Sequence, residues 1–374
     1  MSQEHLPLLK AVPGDWRSGC FVGRIDSGDG PTPIVIRDGT AFDMSGVAPT
    51  VSALIEMGAF DGGTAIGDLD SIDTASLLSP IDLHCVKAAG VTFAVSALER
   101  VIEERARGDH HRAVEVRDRI EEALGGNIRA VVPGSAEAAT LKDVLIADGL
   151  WSQYLEVAIG PDAEIFTKSP VLSTVGLNAE IGVRSDSTWN NPEPEIVLVA
   201  DSCGRAVGAT LGNDVNLRDF EGRSALLLGK AKDNNASCSI GPLIRLFDAQ
   251  FTMDDVRAAD VALTIAGTDG YTLNGASTMR EISRDPEDLL AQAMSEHHYP
   301  DGFVLFCGTL FAPTQDRDEP GRGFAHKPGD VVTITSARLG TLVNTVTTSR
   351  DAPAWRVGIG ALMRNLAARG LLTA

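Results

Sequence analysis

The sequence predicts an α+β fold that is mainly β, with two domains. A chain of 374 residues, 44% of them hydrophobic, is too long for one small module and can bury a large core. Short β-branched segments separated by Gly, Asp and Pro dominate both flanks of the chain, as is typical of strands joined by turns. Helical periodicity is concentrated between them, at about residues 97–150.

The first 78 residues are predicted to form a small β-rich domain. The segments GCFVGRIDSG and TPIVIRDGTAFDM alternate apolar and polar residues between turn-forming residues. A short helix is expected at residues 51–59. A buried strand is expected within residues 77–95, so we place the boundary between the domains 1–78 and 79–374 there.

The middle of the chain is predicted to be a helical subregion of the second domain, at residues 97–150. In AVSALERVIEERARG the apolar residues recur on one helical face, opposite Glu and Arg. A second helix is expected to end at Gly125–Gly126, and a third covers AEAATLKDVLIADG.

Strands dominate again beyond residue 155, with one helix at PEDLLAQAMSEHH and another near the end of the chain. Their uneven spacing indicates a mixed, largely antiparallel sheet system. No GxGxxG follows a predicted strand, so a nucleotide-binding α/β domain has no support. The predicted strands are EIFTK, IGVRS, EIVLVAD, AVGATLGNDV, DVALTIAG, YTLNG, FVLFCGTL, DVVTITSA and TLVNTVTT.

The composition narrows the classes of partner. A formal net charge of −19 argues against nucleic acid or an anionic membrane, but it does not exclude an anionic small molecule. No apolar run approaches the ~18 residues of a membrane-spanning helix, and the N-terminus has no signal-peptide pattern. The five cysteines are scattered, which favours a reducing, cytoplasmic location.

Two carboxylates at the start of one predicted strand form the most informative pattern. Glu193 and Glu195 are two residues apart and therefore share a face, and Pro192 and Pro194 indicate a strand end or an edge. Like charges beside buried apolar sequence repel each other, and either a bound cation or exposure to water would relieve this. The two-residue spacing of the glutamates alone favours a strand end exposed to water over a cation site.

A third carboxylate changes that balance. A turn at DSCGR is expected to return the chain as a hairpin that ends at Asp214, near the two glutamates, although the register is not determined by the sequence. Three carboxylates without His or Cys form an oxygen-only site, which suits Mg²⁺, Mn²⁺ or Ca²⁺ better than Zn²⁺.

Two lysines and a glycine-threonine pair follow along the chain. Lys230 and Lys232 precede a predicted turn at Gly241–Pro242. A lysine that is partly desolvated near a cation has a lowered pKa and can act as a base, whereas both can also be surface lysines, the reading we favour for Lys230. Gly308–Thr309 offers N–H groups and a hydroxyl to an anion, or forms an ordinary turn.

Taken together, these motifs resemble the fumarylacetoacetate hydrolase superfamily, and most closely its branch of 2-keto-3-deoxy-sugar-acid dehydratases. The resemblance rests on GVTFAVSALE, FTK, NNPEPE, GNDVNLRDFEGRSALLLGKAKDNNASCSIGP and FCGT, and covers about residues 80–350. It implies a small β-rich N-terminal domain followed by a catalytic domain of rolled, mixed β-sheets with the metal inside.

The resemblance also implies roles for individual residues. Glu193, Glu195 and Asp214 fall at the metal-binding carboxylates, which implies Mg²⁺ or Mn²⁺ as the cofactor. Lys232, nine residues before the Gly-Pro pair, falls at the active-site lysine. Thr309 matches the threonine that holds a substrate oxygen.

One departure from the family pattern separates dehydration from hydrolysis. Where the hydrolases typically carry a water-activating histidine, this chain has Ser96, whereas the glutamate that ends the motif is kept as Glu99. A serine hydroxyl is not a general base near neutral pH, so the usual hydrolytic apparatus is missing. A metal, a lysine and a carboxylate suit β-elimination next to a ketone.

The implied activity is that of a hydro-lyase in oxidative pentose degradation. It would convert a 2-keto-3-deoxypentonate, derived from D-xylonate or arabinonate, into 2,5-dioxopentanoate through a metal-stabilised enolate. Lys232 is the expected base at C3, and Glu99 is expected to help the C4 hydroxyl leave. A small-molecule sugar acid is the expected partner, and a homo-oligomer, dimer or tetramer, is expected.

Four further residues are candidate substrate ligands with equally simple structural alternatives. Lys168 and Arg184 either hold the substrate carboxylate or pair with the metal-site acids, and structural ion pairs are the alternative for both. Asn235 is either a polar donor near the site or a turn former. Ser96 is expected to contact the substrate.

Other functions remain open at this point. One is a C–C hydrolase or decarboxylase of a 2,4-diketo or β-keto acid, and another is a noncatalytic sugar-acid-binding protein. A Schiff-base route through Lys232 is an alternative to the metal route.

Overall fold

The structure is a computed structural model. It describes residues 5–372 except for 95, 99, 100, 103–114, 116, 117, 120–130, 312–314 and 319–322.

The described elements are mostly strands. The helices are α1 Leu8–Ala11, α2 Val51–Met57, α3 Ala136–Ala147, α4 Gln153–Ile159, α5 Arg218–Glu221, α6 Leu228–Lys232, α7 Met253–Arg257, α8 Pro286–Met294 and α9 Ile359–Ala368. The strands are β1 Phe21–Asp26, β2 Pro31–Arg37, β3 Thr40–Asp43, β4 Thr64–Asp68, β5 Cys85–Gly90, β6 Glu164–Ser169, β7 Glu180–Val183, β8 Asn190–Asn191, β9 Pro194–Ala200, β10 Ala206–Asp214, β11 Asn216–Leu217, β12 Cys238–Leu246, β13 Asp260–Ala266, β14 Thr272–Thr278, β15 Phe303–Phe306, β16 Val331–Ser336 and β17 Gly340–Thr348.

The largest sheet runs through both predicted domains. Its strand order is β4-β3-β2-β1-β12-β10-β9-β15-β5-β6, and the N-terminal strands join it where Phe21 of β1 pairs antiparallel with Arg245 of β12. The pair β15–β5 is parallel and its neighbours are antiparallel, so the predicted mixed sheet is confirmed. The division into 1–78 and 79–374 stays a prediction.

A second sheet covers one face of the first, with the main core between them. Its order is β14-β13-β16-β17-β7. Leu198 and Leu211 of the large sheet share one buried cluster with Leu263, Ile334 and Leu342 of the second. The expected fold class, mainly β with rolled, mixed sheets, is confirmed.

Helices pack at one end of the large sheet. Residues 94, 96–98, 101 and 102 are helical, and Leu98 and Val101 form a separate buried cluster with Leu145 of α3 and Leu155 of α4. The expected third helix is therefore present. The second predicted helix falls mostly outside the described residues. No helix within the described ranges is both long and apolar enough to cross a lipid bilayer.

The turn predicted at Gly241–Pro242 is wrong, because both residues lie within β12, in the middle of the large sheet. Proline normally argues against a central strand since it has no N–H to donate. Here the ladder is irregular at that point: the register of β10 shifts between Ala209 and Leu211, and the Thr210 hydroxyl donates to the Gly241 carbonyl at 3.2 Å.

Candidate metal and substrate site

The β9–β10 hairpin brings three carboxylates together. Gly212 lies opposite Glu195 in the ladder, so Asp214, at the end of β10, reaches Glu193 just before β9. One oxygen from each of the three carboxylates lies within 4.8 Å of the others. The three residues are only 7%, 3% and 1% exposed, so the solvated strand end that spacing alone favours is wrong.

Neighbouring amides hold the two glutamates in place. The Gly308 N–H donates to Oε2 of Glu195 at 2.7 Å, and the Asn216 amide donates to Oε1 of Glu193 at 3.1 Å. The Glu193 N–H in turn donates to Oδ1 of Asn213 at 3.1 Å. The Gly308 N–H thus binds an anion, as its motif suggests, but the anion is the carboxylate of Glu195. Asn216 is not among the candidates that the sequence pattern indicates, although its place two residues after Asp214 was the available signal.

Lys168 is a fully buried lysine that supports Asp214. Its Nζ lies 2.7 Å from Oδ1 of Asp214 and donates to the carbonyl of Val215 at 3.0 Å and to the carbonyl of Lys232. Three protein oxygens therefore surround an ammonium that has three N–H groups. Of the expectations for Lys168, pairing with a metal-site acid is the one that the structure contains.

Lys232 lies on the other side of the carboxylates. It ends α6, and its Nζ lies 2.5 Å from Oε2 of Glu193 and 2.9 Å from Oδ2 of Asp214. Lys230 is exposed and lies over the ring of Phe220, 5.3 Å from its centroid. Only the second lysine of the pair thus reaches the carboxylates.

The pKa values reflect this crowding of charge. Burial by itself would lower the pKa of Lys232, but Asp214 and Glu193 outweigh burial and raise it. The lowered pKa expected for a lysine beside a bound cation stays a prediction. Burial, together with Asp214 and Glu193, raises the pKa of Glu195 well above its ordinary value. Burial would also raise the pKa of Asp214, but Lys168 and Lys232 lower it.

The donor set fits a hard divalent cation. Buried carboxylates that raise one another's pKa gain from added positive charge, and the Lys232 ammonium already contacts two of them. Oxygen ligands alone suit Mg²⁺ or Mn²⁺ better than Zn²⁺. Glu193, Glu195 and Asp214 are the residues that would hold the ion.

A small cavity, the site cavity, adjoins the carboxylates. Its volume is about 40 Å³. Ser96 and Thr309, both expected near the substrate, line it. The Thr309 hydroxyl accepts the Phe311 N–H at 3.1 Å, and the Ser96 hydroxyl donates to the Leu310 carbonyl at 3.5 Å.

Other lining residues were not identified from the sequence. They come from distant parts of the chain, and all but one lie in the motifs that carry the family resemblance, which was the available signal. They are Phe93, Glu164, Phe166, Glu221 and Leu228.

Two expected site residues lie away from the cavity, and a third falls outside the described residues. Arg184 forms an ion pair with Asp186 at 2.7 Å, the structural alternative considered for it. The Asn235 amide is exposed and donates to the carbonyls of Ser349 and Pro353. Glu99 lies outside the described residues, so its role stays a prediction.

Comparison with known proteins identifies the family. The sequence profile described as fumarylacetoacetate (FAA) hydrolase, C-terminal, matches residues 155–347, which is just over half of the chain. The chain belongs to the fumarylacetoacetate hydrolase family. The matched range contains the carboxylate triad, Lys168, Lys232 and Thr309.

Two curated relatives of this fumarylacetoacetate hydrolase family member are named as dehydratases. A Saccharolobus solfataricus protein, "2-dehydro-3-deoxy-D-arabinonate dehydratase", is 32% identical over 49% of this chain and 58% of its own length. A Haloferax volcanii protein, "Probable 2-keto-3-deoxyxylonate dehydratase", is 33% identical over 52% of this chain and 64% of its own length. The chain thus spans about three fifths of the curated relatives that it matches.

A solved structure has the same fold. It is described as "2-keto-3-deoxy-D-arabinonate dehydratase complexed with magnesium and 2,5-dioxopentanoate" and superposes with a TM-score of 0.61 at 24% identity. The match covers 88% of this chain and 99% of the other.

Proposed function

We propose that this protein is a metal-dependent hydro-lyase that converts a 2-keto-3-deoxypentonate, derived from D-xylonate or arabinonate, into 2,5-dioxopentanoate. The observation that carries the proposal is a buried carboxylate triad in contact with Lys232 at the wall of a cavity. Mg²⁺ or Mn²⁺ is the proposed cofactor. The three carboxylate ligands support it, and so does the magnesium named in the description of the structural relative. The names of both curated relatives support the same substrate class.

The triad suits an α-keto acid because the reaction needs a stabilised carbanion next to a ketone. A bound Mg²⁺ supplies Lewis-acid polarisation of the keto acid. Gly308 and Asn216 fix the orientation of the two glutamates, so the ligand oxygens are preorganised.

Lys232 is the proposed base at C3. To act as one, it must give up the proton with which it bridges Glu193 and Asp214. Thr309 is proposed to hold a substrate oxygen, since it lines the site cavity. Glu99 is proposed to protonate the leaving C4 hydroxyl.

The cavity favours elimination over hydrolysis. Ser96 lines it at the position where the family resemblance places the hydrolases' histidine, and no histidine is among the described residues that line it. Water activation for C–C cleavage would need such a base. Among the described lining residues, the C–C hydrolase alternative therefore lacks the histidine that the family resemblance assigns to water activation.

The test is turnover of both enantiomers of 2-keto-3-deoxypentonate, with an acylpyruvate assayed alongside. We expect 2,5-dioxopentanoate from at least one enantiomer, loss of activity with EDTA and recovery with Mg²⁺. Cleavage of the acylpyruvate without dehydration would contradict the proposal, and so would binding without any turnover. Borohydride trapping of a stable substrate adduct on Lys232 would replace the metal route with a Schiff base.

The cellular context is part of the proposal. We place the enzyme in the cytoplasm, in oxidative pentose breakdown, and all five cysteines are free thiols, as a reducing compartment favours. We also propose a homo-oligomer, a dimer or a tetramer. Trp355, Ile359 and Met363 are exposed along the C-terminal segment and offer apolar surface for a second copy. Light scattering on the purified protein tests this.

A further inference from the structure

The backbone of Lys232 is held by two hydrogen-bond donors. Lys232 ends α6, and the last carbonyls of a helix have no partner within the helix itself. The Lys168 ammonium donates to the carbonyl of Lys232, and the hydroxyl of Ser237 lies 2.9 Å from the same oxygen as a second donor. Donors from two separate parts of the chain therefore fix the point from which the Lys232 side chain extends.

Ser237 also contacts the chain that carries a carboxylate of the triad. The Val215 N–H donates to the carbonyl of Ser237 at 3.3 Å, and Val215 directly follows Asp214. The residue after Ser237, Cys238, lies opposite Asp214 in the β10–β12 ladder. Ser237 thus bonds through its hydroxyl to the helix of Lys232 and through its carbonyl to the end of the strand of Asp214.

The loop that contains Ser237 is held in one conformation by its contacts. The Ser237 hydroxyl accepts the Asn234 N–H at 3.0 Å and shares its proton between the carbonyls of Lys232 and Asn234, both at 2.9 Å. Ala236 has a φ of 57°, a left-handed conformation that residues with a Cβ rarely adopt. The Gly182 N–H of β7 donates to the Ala236 carbonyl at 2.9 Å and helps to keep this conformation.

Burial makes these hydrogen bonds hard to replace. Ser237 is only 2% exposed and Lys232 only 5%, so water has little access to the groups that the Ser237 hydroxyl joins. The Nζ of Lys232 lies 2.5 Å from Oε2 of Glu193 and 2.9 Å from Oδ2 of Asp214. A displacement of about 1 Å at a reacting group can cost roughly 100-fold in rate, so the backbone contacts of Lys232 bear on its chemistry.

We infer that Ser237 is a positioning residue for Lys232, which keeps the proposed base aligned with the carboxylate triad. The inference rests on the proposed function and concerns the same site. Ser237 is not among the described residues that line the site cavity, so it acts through Lys232 and not on the substrate. Its loss should therefore slow the chemical step and spare the binding of substrate and metal.

The test is Ser237→Ala in the metal-loaded enzyme, with a 2-keto-3-deoxypentonate as substrate. We expect kcat for each bound Mg²⁺ to fall roughly tenfold or more, because the base loses one of its two backbone anchors. KM and the affinity for Mg²⁺ should stay within about threefold of wild type. Counting bound Mg²⁺ by calorimetric titration removes any effect of a smaller folded fraction on kcat.

Two further variants complete the design. Ser239→Ala in β12 is the matched control, because Ser239 is also fully buried but its hydroxyl has no hydrogen-bond partner among the described residues. It should leave kcat within about twofold of wild type. Ser237→Cys nearly keeps the shape of the side chain with a weaker donor, so its kcat should lie between wild type and Ser237→Ala. It carries the test if Ser237→Ala fails to fold.

Several results would overturn the inference. An unchanged kcat in the Ser237 variants would mean that Lys168 alone suffices to hold the Lys232 backbone. Equal losses in Ser237→Ala and Ser239→Ala, or a raised KM with kcat unchanged, would also overturn it.

Failure of the proposed function is distinguishable from failure of this inference. If the wild type does not dehydrate the pentonate, the proposed function fails, and crystal structures of the variants then test the positioning role alone. We expect Nζ of Lys232 to move away from Glu193 in Ser237→Ala but to keep its place in Ser239→Ala. An unmoved Lys232 in Ser237→Ala would overturn the inference.

Discussion

Lys168 and Asp214 form an ion pair at the base of the carboxylate triad, with Nζ 2.7 Å from Oδ1 and both side chains almost completely buried. The pair joins β6 to the end of β10 and leaves the other oxygen of Asp214, Oδ2, beside Lys232. A buried carboxylate that faces two lysines stays ionised, as a metal ligand must.

Removing Lys168 should destabilise the protein strongly. Lys168→Met leaves Asp214 as a buried charge with one cationic partner fewer, and we expect a loss of about 3–5 kcal/mol in the free energy of unfolding. Urea denaturation measures it. The exposed Lys230→Met is the control, expected within about 0.5 kcal/mol of wild type. A loss below about 1 kcal/mol for Lys168→Met would mean that the pair is dispensable.

Removing Lys232 should separate catalysis from metal binding. Its Nζ contacts Oε2 of Glu193 and Oδ2 of Asp214, two of the oxygens that a metal would use. Lys232→Met should therefore abolish dehydration while Mg²⁺ binds at least as tightly, because the competing positive charge is gone. Calorimetric titration with Mg²⁺ measures the affinity, and a clear weakening would show that Lys232 organises the triad instead.

A methyl group at Gly212 should damage the hairpin that carries the triad. A Cβ there would lie 2.6 Å from Cγ2 of Val197 and closer still to the ring of Phe306. We expect Gly212→Ala to cost about 1–3 kcal/mol of unfolding free energy through overpacking. Gly229→Ala in α6, where nothing lies within 4 Å, should be neutral or stabilising by up to about 1 kcal/mol. Equal changes in unfolding free energy for Gly212→Ala and Gly229→Ala, measured by urea denaturation, would show that the close contacts at Gly212 do not matter.

Buried His84 should make stability fall in acid. Burial lowers the pKa of His84 despite the nearby carboxylates of Asp82, Glu56 and Asp301, and Arg24 acts in the same direction as burial. The pKa of His84 in the folded state is thus below its value of about 6.5 in the unfolded state. Neutral His84 therefore contributes its full share to the free energy of unfolding above pH ~6.5, and this share is lost as the pH falls from there toward the folded-state pKa.

Protonation of His84 should lower the free energy of unfolding by at most about 1.4 kcal/mol for each pH unit below pH ~6.5. His84→Gln should flatten the dependence of unfolding free energy on pH between about 6.5 and 5, whereas exposed His297→Gln should keep it. An unchanged slope in His84→Gln would mean that other groups account for acid sensitivity.

The sequence predicts local parts of the site well and remote parts poorly. Glu193, Glu195 and Asp214 lie on one hairpin, so strand period and turn position place them at the same end of it, and the structure supplies the register. The partner of Lys168 depends on the tertiary structure that brings β6, the edge strand of the same sheet, close to the end of that hairpin, which local patterns do not encode. Glu164 and Glu221 reach the cavity from separate elements for the same reason.

The fold shows the same division. Alternating strands and the third helix are local patterns and are present as predicted. The central strand β12 was overlooked because Pro242 removes an N–H from its ladder, and only the irregular pairing with β10 accommodates that loss. Tertiary packing overrides the local signal there.

Isothermal titration of the metal-stripped protein with Mg²⁺ determines whether the carboxylate triad binds the metal. We predict one Mg²⁺ site per chain in the wild type. Glu195→Gln and Asp214→Asn, which keep the shape but remove a charge, should weaken binding at least roughly tenfold. Unchanged stoichiometry and affinity in a Glu193→Gln, Glu195→Gln, Asp214→Asn triple variant would contradict the account.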